Sequence, residues 1–184
     1  MSKPLVYTIT FVVCILLQVA VAPAIAIGGC SPDFLLIPVL LVSLRSGAAV
    51  GSVAGFALGL FEDFAGNGTV GGMALTFTVI ALVAGLLGAV LDTSSPALLA
   101  IFGIVGAFLM ELVYGLVNVL TGIETAGYAA TVLGYAVPSA LYTALFTVFA
   151  LVTIGFVMVE ETPADLSKLG GGYGAGGSSR TGYL

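Results

Sequence analysis

The sequence predicts an all-α integral membrane protein of six transmembrane helices, the second and third of them short, and three observations carry that expectation. The chain of 184 residues is 60% hydrophobic and only 7% charged, whereas a soluble domain carries roughly 25% charged residues. Its mean hydropathy of +1.24 means more apolar side chain than a body of about one domain can hide from water. The 4 basic and 9 acidic residues divide the chain into apolar runs, several of which can cross a hydrocarbon core of about 30 Å at a rise of about 1.5 Å per residue.

Taken in order, Met1 to Pro4 is a short head carrying Lys3, and the uncharged run from Leu5 to Ile27 forms the first helix, about residues 5–27. That run is longer than the core of a cleaved signal peptide, about 7 to 15 residues. It is expected to stay, although Ala20, Ala22, Ala24 and Ala26 imitate a cleavage site. Gly28, Gly29, Cys30, Ser31 and Pro32 make a turn, and Asp33 opens a second helix over 33–44. Arg45, Ser46 and Gly47 break it. A third helix over 47–61 runs up to adjacent Glu62 and Asp63, which are expected to end it in the aqueous layer; an acid pair or cation site is the other reading of those two carboxylates. The loop Gly66, Asn67, Gly68, Thr69 leads to a fourth helix over 70–91. Asp92 to Pro96 forms the next break, with proline suited to the first turn of a helix and the hydroxyls suited to capping it. The fifth helix covers 97–120. The sixth covers 128–157 and contains Pro138, which should kink or divide it. Residues 1–159 thus form one polytopic membrane domain, and the Gly-rich stretch 160–184 is expected to be a disordered cytoplasmic tail.

Residues 34–61 pose the topological question, since the segments on either side of Arg45 are each shorter than the usual 20 or so residues. Two short helices and one long broken helix both fit that length. The excess of basic residues on the cytoplasmic side decides. With Lys3 inside, six passes place Arg45, Lys168 and Arg180 inside too, so both termini are expected in the cytoplasm. The outer loops then hold Asp33, Glu62, Asp63 and Glu124 and no base.

The composition also excludes chemistry. Without a histidine the chain lacks the commonest general base and the commonest metal ligand. No lysine follows a glycine-rich turn and no CxxC occurs, so no catalytic residues, cofactor or metal site are expected. A net charge of -5 offers nucleic acid no phosphate-binding patch. Cys14 and Cys30 stand 16 residues apart, about 24 Å along a straight helix, and a disulfide needs Cα atoms within about 7 Å. Both are expected as thiols.

Two patterns point to packing or partners. Gly47, Gly51, Gly55 and Gly59 recur every fourth residue, one bare stripe on which a neighbouring backbone can close in. That neighbour is either a helix of the same bundle or another membrane protein. Glu111 is the acid deepest inside a span, where an ionisable group costs on the order of 2.5–3.5 kcal/mol or more and must turn inward. Tyr114 and Asn118 share its helix face. The stripe serves as a polar knot or as a site for a substrate, a proton or a partner helix, and Gln18, Tyr135, Pro138 and Tyr142 are candidates to complete a knot.

The segment PDFLLIPVLLVSLRSGAAVGSVAGFALGLFEDFAGNGTVGGMAL, Pro32 to Leu75, resembles the MreD family, the small membrane subunit of the bacterial rod-shape complex. Pro32 and Asp33 match its second-helix start, Arg45 and Gly47 its basic residue and glycine, and Gly59, Leu60, Phe61, Glu62 and Asp63 its Gly-Leu-x-x-Asp pattern. Gly66 to Thr69, Gly71, Ala74 and Leu75 match the loop and next helix. Met73 stands where relatives often carry a histidine, and the Gly/Tyr tail is not a family feature.

The resemblance implies six helices in a fold similar to the substrate-binding components of energy-coupling-factor transporters. It implies a non-catalytic role in the bacterial inner membrane: binding the bitopic protein MreC and, through it, linking MreB filaments to the glycan polymerase and transpeptidase. Under it, Asp33, Arg45 and Asp63 set helix ends, the glycine stripe sets packing, and Gly55→Leu abolishes assembly without preventing insertion. Glu111 and Asn118 form a partner-binding or stabilising stripe. The alternative is the substrate-binding subunit of a vitamin or micronutrient uptake transporter, for which the outer groups Asp33, Glu62, Asn67 and Glu124 offer little.

Overall fold

A computed structural model describes residues 3–27, 30–66, 70–91, 95–122, 134 and 136–160. Asp92, Glu124, Tyr135, Lys168, Arg180, residues 128–133 of the expected sixth span and residues 161–184 of the expected tail lie outside them. Six helices make up the described chain: α1 (Lys3–Leu16), α2 (Leu36–Ser46), α3 (Ala48–Ala65), α4 (Gly72–Gly88), α5 (Pro96–Leu120) and α6 (Val137–Glu160). Among the described residues no strand occurs beyond an isolated pairing of Ile27 with Cys30. By length and composition α3, α5 and α6 can cross a membrane, so α3, with 18 residues, is longer than expected.

The organising element is α2. Its 11 residues reach about 16 Å, too short to span a bilayer alone. It need not, because α1, α3, α4, α5 and α6 all pack against it. Leu36, Val39 and Leu40 are at most 1% exposed, and Ile37, Leu41 and Leu44 are also buried, the all-round apolar surface of a core helix. Pro38 stands in its first turn, where a missing N–H has no intrahelical partner to lose.

Gly47 turns the chain from α2 into α3. Its φ of +85° is the left-handed backbone that glycine adopts without a Cβ penalty. Its N–H donates to the Ser43 carbonyl (3.0 Å), and its carbonyl accepts from the Gly51 N–H (2.9 Å). Arg45, in the last turn before the break, is exposed.

Along α3 the bare face turns inward and the bulky face outward. A Cβ at Gly51 would meet Ser43 of α2 (2.7 Å from its Cα), at Gly55 the Phe77 carbonyl of α4 (2.6 Å), and at Gly59 the Ala74 Cα of α4 (2.5 Å). Val50, Val53, Phe56 and Phe64 cover the opposite side and are exposed, the polarity of a helix that meets lipid. The stripe is therefore used within the chain, except Gly47, which serves the corner. Leucine at position 55 would open the α3–α4 contact itself rather than a partner's.

The ends of several helices differ from expectation for local reasons. The first helix gives way after Leu16 to a one-turn wider coil over Leu17–Val21, closed by the Ala22 N–H donating to the Leu17 carbonyl (2.9 Å), so it stops short of residue 27. Helix α3 continues through Glu62 and Asp63 to Ala65, because both carboxylates find partners inside the bundle. Pro96 occupies the first turn of α5 as expected, but Ser95 makes no side-chain cap. Pro138 lies in the first turn of α6, directly after wider-coil helical residues at Gly134 and Ala136, so it stands where the helix type changes. On α6, Leu141, Leu145 and Phe149 face out. Ser139, Thr143 and Thr147, at the same four-residue spacing, face in and are buried.

The α3–α4 contact sets a test. Overpacking at a backbone-to-backbone contact costs about 1–3 kcal/mol or more, so Gly59→Val should lower the unfolding temperature and broaden the gel-filtration peak in mild detergent. Ala57→Leu, on the exposed side of the same helix, should leave both unchanged. A Gly59→Val protein as stable as the parent would contradict this packing.

Candidate binding site

Three non-adjacent stretches bring their polar groups to one end of the bundle. The first is the lead-in to α2. Residues 32–35 are buried but not helical, and backbone at that depth is tolerated only where protein satisfies it. The Asp33 N–H donates to Thr143 Oγ1 of α6 (3.1 Å). The Phe34 N–H donates to Gln18 Oε1 (2.8 Å). The Leu35 N–H donates to Asp33 Oδ1 (2.8 Å), the local turn that aspartate favours. The Phe34 ring stands edge-on to Phe146 (5.3 Å between centroids), which tethers the lead-in to α6 as well.

The second stretch is the end of α3. Asp63, 6% exposed, accepts from the backbone N–H groups of Gly71, Met73 and Ala74, each at 3.0 Å. It supplies the cap that the first turn of α4 lacks, with a negative charge at the positive end of the helix dipole. Gly71 makes this possible with a left-handed φ of +89°. Beside it, Glu62 Oε1 accepts from Gln18 Nε2 (2.9 Å). Gln18 thus faces both ways, its oxygen holding α2's lead-in and its nitrogen holding α3.

The third stretch is the inner face of α5. Glu111, 7% exposed, accepts a hydrogen bond from Ser139 Oγ of α6. Asp33, Glu62, Glu111, Tyr114, Gln18 and Ser139 line one small cavity of about 70 Å³. A second cavity of about 260 Å³ is lined in part by the same Gln18, Ser31 and Glu62 and reaches Ala65 and Gly66. Two buried carboxylate oxygens, Asp33 Oδ2 and Glu62 Oε2, have no donor.

Of the expected residues, Asp33, Glu111 and Tyr114 meet here. Asn118 is on the same helix but does not line the cavity, and Arg45 is at the other end of α2, about 15 Å of helix rise away. Asp63 is committed to α4. Tyr142 joins the surroundings by donating to the Ile25 carbonyl (3.0 Å). Glu62, expected in the aqueous layer, is partly buried in the cavity wall, its Oε2 shielded. Ser139 and Thr143 were not foreseen, although with Thr147 they form a hydroxyl stripe at the helical repeat that the sequence displays. Cys14 and Cys30 are buried, unbridged thiols. Among the described residues no group of three His, Cys, Asp or Glu is arranged to hold a metal ion.

A family profile described as rod shape-determining protein MreD matches residues 2–159. No curated protein and no solved structure matches the chain.

The Asp63 cap generates a second test. Asp63→Ala leaves three N–H groups at a helix start without their acceptor, and lost caps and charged hydrogen bonds cost about 1–3 kcal/mol. The variant should unfold at a lower temperature in detergent and be cut faster by protease between α3 and α4, whereas Asp63→Asn, which keeps one acceptor, should fall between. Parent-like stability and protease resistance in Asp63→Ala would remove the cap from the account.

Proposed function

Since the chain belongs to the MreD family of rod shape-determining membrane proteins, we propose that it is a non-catalytic subunit of the bacterial rod-shape complex, or elongasome. In this reading it binds an MreC-type bitopic protein. Through that protein it helps couple MreB filaments to peptidoglycan synthesis by a glycan polymerase and a transpeptidase. The observation that carries the reading is the extent of the match, residues 2–159, which takes in every described helix except Glu160, the last residue of α6.

The physical character of the chain supports it. The polar side chains on the helices serve the fold: Ser43, Thr76 and Thr78 donate to carbonyls of their own helices, and Asp63 caps α4. The outward faces of α3, α5 and α6 are apolar, surface on which a partner's membrane helix competes with lipid. We place the chain in the inner membrane as a multi-pass protein with both termini cytoplasmic. Its six-helix layout is similar to that of energy-coupling-factor substrate-binding components. The separation of charge supports this orientation, with exposed Arg45 at one end of α2 and Asp33, Glu62 and Asp63 toward the other.

The test is a tagged pull-down from mild detergent after cross-linking in cells, with mass spectrometry of the co-purified proteins. An MreC-type protein together with cell-wall synthases should dominate. ATPase subunits with a transmembrane coupling protein in their place would overturn the proposal and make the chain a component of an uptake transporter.

A further inference from the structure

The cavity described above is short of positive charge. Asp33, Glu62 and Glu111 all line it, and among the described residues with described side chains the one cation is Arg45, exposed at the far end of α2. Glu111 has Ser139, and Glu62 Oε1 has Gln18. Asp33 Oδ1 has the Leu35 N–H. What is left are Asp33 Oδ2 and Glu62 Oε2, both shielded from solvent and both without a donor. Both carboxyls line the same small cavity, and two acceptor oxygens attract only when a proton or a cation stands between them. Asp33 is 4% exposed, and a buried unpaired carboxylate is among the costliest groups a protein can hold.

From this geometry we propose that the cavity between Asp33, Glu62 and Glu111 is a binding site for one cationic nitrogen group, a guanidinium or a primary ammonium. It is an assignment independent of the scaffold reading above. Size and chemistry agree. A cavity of about 70 Å³ offers about five to seven water-sized positions at 10–15 Å³ each, room for the four heavy atoms of a guanidinium. A guanidinium presents N–H donors in a planar fork that satisfies two carboxylates together. A hard divalent cation instead needs six or more oxygens converging at about 2–2.6 Å, and among the described residues no group of three His, Cys, Asp or Glu is arranged to hold a metal ion. The adjoining 260 Å³ space, with exposed Ala65 and Gly66 on its wall, supplies a route for the stem that carries the head group.

Two sources present this chemistry: an arginine or lysine side chain of a partner polypeptide, or a free small cation. The full chain in mild detergent is titrated with n-butylguanidinium and, as the neutral planar counterpart, n-butylurea. Binding is followed by calorimetry and by unfolding temperature. Butylguanidinium should bind one per chain and raise the unfolding temperature, butylurea should do neither, and Glu62→Gln should weaken butylguanidinium at least tenfold. Asp33→Asn is the second variant, accepted once its gel-filtration profile matches the parent. If Glu62→Gln also loses a co-purifying membrane protein, the head group belongs to that partner. If co-purification is unchanged while butylguanidinium still discriminates, it belongs to a free cation. Equal behaviour of butylguanidinium and butylurea, or undiminished guanidinium binding in both variants, overturns the proposal and leaves a shared proton between Asp33 and Glu62.

Discussion

The constraint on which this molecule rests is that backbone N–H groups buried inside the bundle but outside a helix must find acceptors in the protein. Helix α2 is too short to cross a bilayer, so the chain reaches it through non-helical residues inside the bundle. Three N–H groups in a row there depend on side chains: Asp33 on Thr143, Phe34 on Gln18, and Leu35 on Asp33 itself. Because the acceptors come from the coil after α1, from the lead-in and from α6, the first and last described helices are tied to the same few atoms. The burial of α2 on all sides follows from that arrangement.

The same need explains where polar groups are found. Ser43, Thr76 and Thr78 donate to carbonyls of their own helices, Ser43 to that of Val39 (2.6 Å), whereas Ser139 and Thr143 of α6 reach across to Glu111 and the Asp33 N–H. Carboxylates reach across as well, because each has more acceptor capacity than its own helix can use. Asp63 turns to the first turn of α4 and closes the α3–α4 pair, whose glycines already bring the two backbones together. Asp33, Glu62 and Glu111 turn to a common cavity. That cavity gathers three carboxyls, and among the described residues with described side chains no cation lines it.

Much of this was legible in the sequence and some was not. Charges and glycines located the breaks at Arg45–Gly47 and at 66–71, because those residues are costly inside a lipid-facing helix. Glu111 read as inward-facing for the same reason, and the four-residue glycine period read as close contact. Glu62 and Asp63 misled, since an acid next to a run of apolar residues more often marks a helix end in water. Only the three-dimensional fold shows that Asp63 has a helix start to cap and Glu62 a glutamine to meet. The pairings of Gln18 with Glu62 and of Asp33 with Thr143 join residues 44 and 110 positions apart, and no local period encodes such distances. The early end of α1 was equally hidden, because the wider coil at Leu17–Val21 has the composition of the helix before it.

The most direct measurement is amide hydrogen exchange, residue by residue, across 31–40 in detergent micelles. If side chains satisfy the buried lead-in, the amides of Asp33, Phe34 and Leu35 exchange as slowly as those of α2 although they are not helical, and Gln18→Leu speeds Phe34 first. If those three amides exchange at the rate of an open loop in the parent chain, α2 is not held in this way and the account of the fold fails with it.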